Sequence, residues 1–372
     1  MATLEAAYVR LRDQLRDYQR VAGEFAGGAG LWLFIVGIVV WSALAERNLL
    51  AVGIVVGSIL ALGALGLTLV YGILKFGNFA HGDLMMTGGY VAFFALTGRI
   101  LAERGDTEVL PWALQDLPGA TDGIGDLSFG YGLILAAVVA VALIAALSVG
   151  LDRLVFRPLR RRGSGIVIFS IAALGIALAL RSLMLVFWGP DPRVYVPGTR
   201  PTTELPFDVR VVTDQIFMFG AAAVMTALVY LMLYRTKLGR AMRAVSDNPE
   251  LARVSGINTD QVILWTWLIG GGLAAIAGVL LALQVQLNPQ LGFVLLLPLF
   301  ASAILGGIGS PQGALVGAMV VGITQEVSVG IDLSIGGWDI LPLEPGYKFS
   351  VAFVILVFIL LLRPRGLFGE RA

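Results

Sequence analysis

Apolar residues in this chain gather in long unbroken runs, so run length is the first feature to read. A hydrocarbon core of about 30 Å needs about 20 apolar residues in helical form. The clearest runs are Leu49–Leu74, Tyr131–Leu151, Ile166–Trp188, Ile216–Tyr234, Val262–Leu283 and Tyr347–Leu362. A soluble protein with one buried helix would supply one such run, not six. A shorter run, Leu31–Ala45, carries Trp32, Phe34 and Trp41 and predicts a first span. Further spans are predicted at 49–74, 79–98, 130–151, 165–187, 215–234, 262–283, 292–308, 313–330 and 347–362. The expected fold is an all-α polytopic membrane protein of about ten transmembrane helices, within a transmembrane domain of residues 31–365.

Ten spans put both ends of the chain on one side, and the basic residues say which. Cytoplasmic loops carry the excess of Lys and Arg. With the N-terminus inside, inner segments hold 18 of the 26 basic residues, five of them in Asp152–Ser164 and five in Arg235–Gln261. The outer loops 99–129 and 189–214 hold ten of the 25 acidic residues. The opposite orientation would expose the Arg-dense FRPLRRRGSG stretch outside. The expected setting is a bacterial inner membrane, with both termini and the 366–372 tail cytoplasmic.

Composition supports this and narrows the chemistry. Apolar residues are 58 % and charged residues 14 % of the 372, against about 45–50 % and 25 % in soluble domains. There is no cysteine and a single histidine, His81, so no thiolate or multi-histidine metal site is expected. A net charge of +1 gives no sign of a nucleic-acid partner. Residues 1–30 carry four arginines and four acidic residues before any apolar run, unlike a secretory signal. Leu4, Tyr8, Leu11, Leu15, Tyr18 and Val21 predict an amphipathic cytoplasmic helix, lying on lipid or covering the protein's own inner face.

Glycine is frequent, 47 of 372, and within membranes small residues let helices approach closely. Two clusters interrupt apolar stretches, one in each half. The first runs Gly77-Asn78-Phe79-Ala80-His81-Gly82-Asp83; the second includes Gly306, Gly307, Gly309 and Pro311. Paired broken segments point to a transport site between two halves.

Ionisable residues at membrane depth are functional candidates because burying charge in lipid is costly. Asp83, Arg181 and Glu326 qualify, with His81 beside them. Asn78, His81 and Asp83 either supply polar groups to a solute path or only cap a helix and pin a turn. Glu326 either pairs with Arg181 or reaches a cavity near the outer face. No GxxxxGK[ST] phosphate loop, HExxH or GxSxG motif occurs, so neither ATP hydrolysis by that route nor a membrane enzyme is expected.

The inner loop 235–260 reads as two short helices, Leu238–Val245 and one from Pro249 to Gly256, with Asn248 as N-cap and Pro249 at the first helical position. Two such helices make a protruding knob suited to docking.

At these residues the chain resembles the branched-chain amino-acid ABC transporter permeases of the LivH type. The likeness is carried by GLTLVYGILKFGNFAHGDLMMTGGY (66–90), RTKLGRAMRAVSDNPELARVSGIN (235–258), LFASAILGGIGSPQGALVGAMVVG (299–322), and FRPLRRRG followed by WGPDPR (188–193). The first 48 residues and the loop 99–129 depart from that family's usual form. The resemblance implies a second, LivM-like permease subunit, two cytoplasmic ATPase subunits that hold ATP and magnesium, and a periplasmic solute-binding protein. It implies that this chain binds no cofactor, and that Arg240, Arg243, Pro249, Glu250 and Gly256 couple it to an ATPase. Transport would be alternating access along a path near the broken segments 77–83 and 305–313, with Asn78, His81, Asp83 and Glu326 on it. Two other readings stay open: a urea or short-amide permease of the same superfamily, and a stand-alone channel or secondary carrier.

Overall fold

The computed structural model describes residues 36–37, 40–42, 44–101, 107–109, 113–330, 333–335, 338–341, 345–362 and 366–368. The amphipathic helix expected in 1–30 and most of the first span lie outside the described residues. Each of the nine later spans coincides with a helix. These are α1 (Arg47–Leu74), α2 (His81–Thr97), α3 (Tyr131–Leu151), α4 (Ile166–Trp188), α5 (Thr213–Arg235), α8 (Thr259–Gln284), α9 (Leu291–Gly306), α10 (Pro311–Val327) and α11 (Lys348–Leu362). Between α5 and α8 stand α6 (Lys237–Asp247) and α7 (Pro249–Val254). Five of these helices are long and apolar enough to cross a membrane, α1, α3, α4, α5 and α8; α9 and α11 are shorter apolar helices. The chain is a multi-pass membrane protein.

The loops sort into two ends. At one lie the antiparallel hairpins β1–β2 (Arg99–Leu101, Thr107–Val109) and β3–β4 (Thr202–Leu205, Val209–Val212). Trp188 donates its indole N–H to the Arg99 carbonyl at 2.9 Å, and Arg47 at the start of α1 donates to the Phe207 carbonyl at 3.1 Å. The Asp214 carboxylate accepts from the Ser128 backbone at 2.9 Å and from its hydroxyl. Tyr195 donates to the Gly89 carbonyl at 2.8 Å, which ties the 189–214 segment to α2. Burial raises its phenol far above the usual tyrosine range, so it stays protonated and keeps donating.

At the opposite, Arg-rich end, α3 continues through a π-turn (Asp152–Phe156) and one further helical turn (Arg157–Arg161). Ser246 of α6 donates to the Gly72 carbonyl of α1 at 2.9 Å, and Leu367 and Phe368 donate backbone N–H groups to Leu305 and Gly306.

Helices α1 and α8 are the axis of the molecule and are mostly buried, whereas α3, α4 and α5 bury only one narrow face. The buried face of α4 is Phe169, Ala173, Ala177, Leu180, Met184 and Trp188, at three- and four-residue spacing. Its other faces present Ile171, Leu178 and Val186 outward, as a helix bordering lipid would. Glycine sets the closest approach in the core: a Cβ on Gly322 of α10 would stand 2.4 Å from the Gly57 backbone of α1. Only hydrogen side chains allow that contact.

Candidate translocation site

After α1 the chain does not pass straight into a second spanning helix. Lys75 adopts the left-handed conformation (φ 57°) and turns the chain back. Residues 75–80 then re-enter the protein, and α2 starts only at His81. The His81 ring lies against Gly66, eight residues before the end of α1, so α2 begins about 12 Å inside the helical layer. Asn78 fixes this entry: its side-chain oxygen accepts from the Ala80 N–H at 3.2 Å and its carbonyl from the His81 N–H at 3.1 Å. Phe76 anchors the turn between Phe156 and Phe169, with ring centroids 5.1 and 5.2 Å away. Asn78 and His81 are buried, and the Asn78 amide nitrogen and His81 Nε2 have no partner among the described residues.

A second segment descends from the other end to meet the first. Between α8 and α9, Leu287 exchanges backbone hydrogen bonds with Arg193 at 2.8 Å. Its side chain lies against Gly89, and Gly292, in the first turn of α9, lies against Gly82 and Asp83. A Cβ on Gly82 would be 2.2 Å from the Gly292 carbonyl oxygen, and one on Gly292 would be 2.8 Å from Asp83 Oδ1. The first turns of α2 and α9 therefore converge on the Asp83 carboxylate. Each helix start carries free N–H groups and a partial positive charge, which favour an anion there.

The counter-charge comes from α4. Arg181 Nη2 stands 3.3 and 3.4 Å from the two Asp83 oxygens, longer than the 2.7–2.9 Å of a tight charge-assisted bond. Its guanidinium carbon lies 4.9 Å from the centroid of the Phe293 ring, and Nε has no partner among the described residues. Asp83 is 1 % exposed and the Arg181 side chain 20 %. The result is a loosely held ion pair, walled by an aromatic ring, where two interrupted helices start.

Of the predicted path residues, the structure joins Asn78, His81 and Asp83 in one segment and places Glu326 elsewhere. Glu326 sits in the last turn of α10, near the start of α1, and pairs with Lys348 of α11 at 2.7 Å. The pairing of Glu326 with Arg181 is thus corrected: Arg181 serves Asp83. The second broken segment is present as a break between helices. Gly306, Gly307, Gly309 and Pro311 form a tight turn between α9 and α10 at the Arg-rich end, with positive φ at Gly307 (105°) and Gly309 (89°). Pro311 opens α10, capped by Ser310. The interior partner of the 75–80 segment is 285–290, which the sequence presents only as an outer connection. Its Asn288-Pro289 turn followed by Gly292 was the available signal.

The α9–α10 turn has its own setting. With the ends of α1 and α5 and with α6 it encloses a cavity of about 580 Å3, lined in part by Thr68, Lys75, Tyr234, Arg243 and Gly309. Arg243 lies over the Tyr234 ring at 5.0 Å. The knob expected at 235–260 is present. Asn248 Oδ1 accepts from the Glu250 and Leu251 N–H groups at 3.1 and 3.0 Å, and Gly256 (φ 85°) ends the unit. Arg240, Arg243, Pro249, Glu250 and Gly256 are all exposed, and so are the apolar Leu251 (64 %) and Val254 (86 %). Among the described residues no group of acidic, histidine or cysteine side chains has the arrangement of a metal site.

Interrupted helices thus meet at a buried ion pair within a multi-pass helical body, and the family match identifies that body as a permease component. Residues 49–362 match the family described as "Branched-chain amino acid transport system / permease component", and this chain belongs to that family. Among its relatives, the high-affinity branched-chain amino acid transport system permease protein BraD of Pseudomonas aeruginosa is 33 % identical over 325 residues, covering 86 % of this chain and 94 % of that protein. LivH of Escherichia coli K12 is 29 % identical, with the same coverage of both chains. A probable LivH of Methanocaldococcus jannaschii is 29 % identical over 334 residues, 88 % of this chain and 93 % of that one.

Proposed function

We propose that this chain is the membrane-spanning permease subunit of an ATP-driven importer for branched-chain or other hydrophobic amino acids. The observation that carries the reading is similarity to BraD and LivH along nearly their whole length. A periplasmic binding protein delivers the solute, a second permease subunit completes the passage, and two ATPase subunits supply the energy. The Arg-rich end is cytoplasmic, following the distribution of basic loops, and about ten spans place both termini there.

The passage runs past Asp83. An amino acid at neutral pH carries an ammonium and a carboxylate, and Asp83 and Arg181 offer their complements. The long contact between them and the convergence of two helix starts support a pair that opens to admit a zwitterion and closes behind it. Asn78 and His81 hold the re-entrant segment in place. Because the solute arrives already selected by the binding protein, the permease needs only weak, general recognition. On the cytoplasmic side the cavity beneath the α9–α10 turn is the exit vestibule. The knob α6–α7 docks on an ATPase through Leu251 and Val254, rimmed by Arg240, Arg243 and Glu250. ATPase closure moves the knob, and through the Ser246–Gly72 hydrogen bond it moves the end of α1.

The test is uptake of radiolabelled leucine in cells with and without the gene, with excess urea as competitor. Loss of leucine uptake on deletion, indifferent to urea, supports the proposal. Unchanged leucine uptake removes the amino-acid assignment and turns attention to urea, amides or another small solute.

A further inference from the structure

The Arg-rich corner where α3 ends has a composition that the transport path does not use. Five arginines, Arg153, Arg157, Arg160, Arg161 and Arg162, stand within ten residues. Two are compensated: Arg160 pairs with Asp152 at 2.7 and 3.0 Å, and Arg157 with Asp260 at 3.2 Å. Arg153, Arg161 and Arg162 are exposed and form no ion pair among the described residues. Arg153, Arg157 and Arg160 line a cavity of about 200 Å3 together with Asn258, Gln261 and Trp267. The buried Trp267 indole N–H has no partner among the described residues.

Apolar surface adjoins this charge directly. Leu154 is 79 % exposed, and at the start of α4 Ile166 and Val167 are 62 % and 69 % exposed. Such residues border acyl chains in a membrane protein, so the arginines beside them stand at the level of the lipid headgroups. We propose that this corner is a binding site for the phosphate of an anionic phospholipid, with Arg153, Arg161 and Arg162 as its free cations. Basic pockets between transmembrane helices on the cytoplasmic side suit such headgroups. The planar guanidinium fork matches phosphate oxygens, and Leu154, Ile166 and Val167 receive the acyl chains. The α1–α2 entry turn is close by, since Phe156 stacks on Trp267 at 5.1 Å and touches Phe76.

The experiment is native mass spectrometry of the full chain in mild detergent, titrated with phosphatidylglycerol or phosphatidylcholine, with and without excess inorganic phosphate. Preferential retention of phosphatidylglycerol is expected, and the triple variant Arg153→Gln, Arg161→Gln, Arg162→Gln should reduce it roughly tenfold or more. The triple Lys variant keeps the charge and the topology and should retain a partial preference. Arg235→Gln with Lys237→Gln, on the same end but away from the corner, should change nothing. Equal retention of the two lipids, or an undiminished preference in the triple Gln variant, overturns the proposal. Displacement by inorganic phosphate also overturns it, assigning the corner to free anions. Undiminished lipid retention with loss of ATPase co-purification marks the corner as a protein contact and equally overturns it.

Discussion

Asp83 and Arg181 are 98 residues apart in the chain and meet at 3.3 Å beside Gly292, so α2 and α4 must pack together before either charge has a partner. Burying an unpaired charge is far worse than burying a pair: removing one partner of a buried ion pair costs about 3–5 kcal/mol, while removing both is often much milder. Arg181→Ala and Asp83→Ala should each abolish leucine uptake. In detergent, each single variant should melt at a lower temperature than the double variant Asp83→Asn, Arg181→Gln. Uptake at wild-type rates by Asp83→Ala would remove the pair from the solute path.

Close backbone contact at the same place gives a separate prediction. A methyl group on Gly82 would overlap the Gly292 carbonyl oxygen at 2.2 Å. Relief requires α2 and α9 to part, at about 1–3 kcal/mol for an overpacked core. Gly82→Ala should therefore lower the melting temperature and reduce uptake even with Asp83 and Arg181 intact. Gly175→Ala, on an α4 face where a Cβ meets nothing within 4 Å, is the control and should leave both unchanged.

The Glu326–Lys348 pair separates position from chemistry. It joins α10 to α11, away from the converging helix starts. Glu326→Gln should lower thermal stability, by about 1–3 kcal/mol for a hydrogen bond to a charged group, while leaving the KM for leucine within twofold. A large rise in KM would place Glu326 in the passage.

Much of this fold is legible in the sequence because bilayer thickness is a strong constraint on run length. The nine later spans match helices to within about three residues, and the Asn248-Pro249 start of α7 follows from local capping rules alone. Depth and partners are less legible. The Gly77–Asp83 interruption is legible, but the 285–290 connection reads as an outer loop, and only its Asn288-Pro289 turn and Gly292 signal that it enters the helical layer. The entry of both depends on Gly82 meeting Gly292, a contact between positions 210 apart in the chain. Arg181 was visible as a charge in an apolar run, but with two carboxylates at membrane depth the sequence offers no reason to prefer Asp83 to Glu326. The glycine-rich 306–313 stretch is legible as a break, but close packing and tight turning use the same residue, and its role as the α9–α10 turn beside the cavity shows only in the structure.

The knob offers the sharpest separation of folding from coupling. Val254 is 86 % exposed and Leu251 64 %, so neither contributes much to packing within this chain, and an apolar pair held out from a basic surface suits a partner's groove. Val254→Glu should leave expression and melting temperature within error of wild type, since exposed substitutions rarely exceed about 0.5 kcal/mol. It should abolish co-purification of the ATPase and with it uptake. Asn248→Ala acts differently: it removes the acceptor of the Glu250 and Leu251 N–H groups, destabilises α7 by about 1 kcal/mol, and should weaken co-purification without abolishing it. A Val254→Glu protein that still carries its ATPase and still transports leucine would show that α7 is not the docking element.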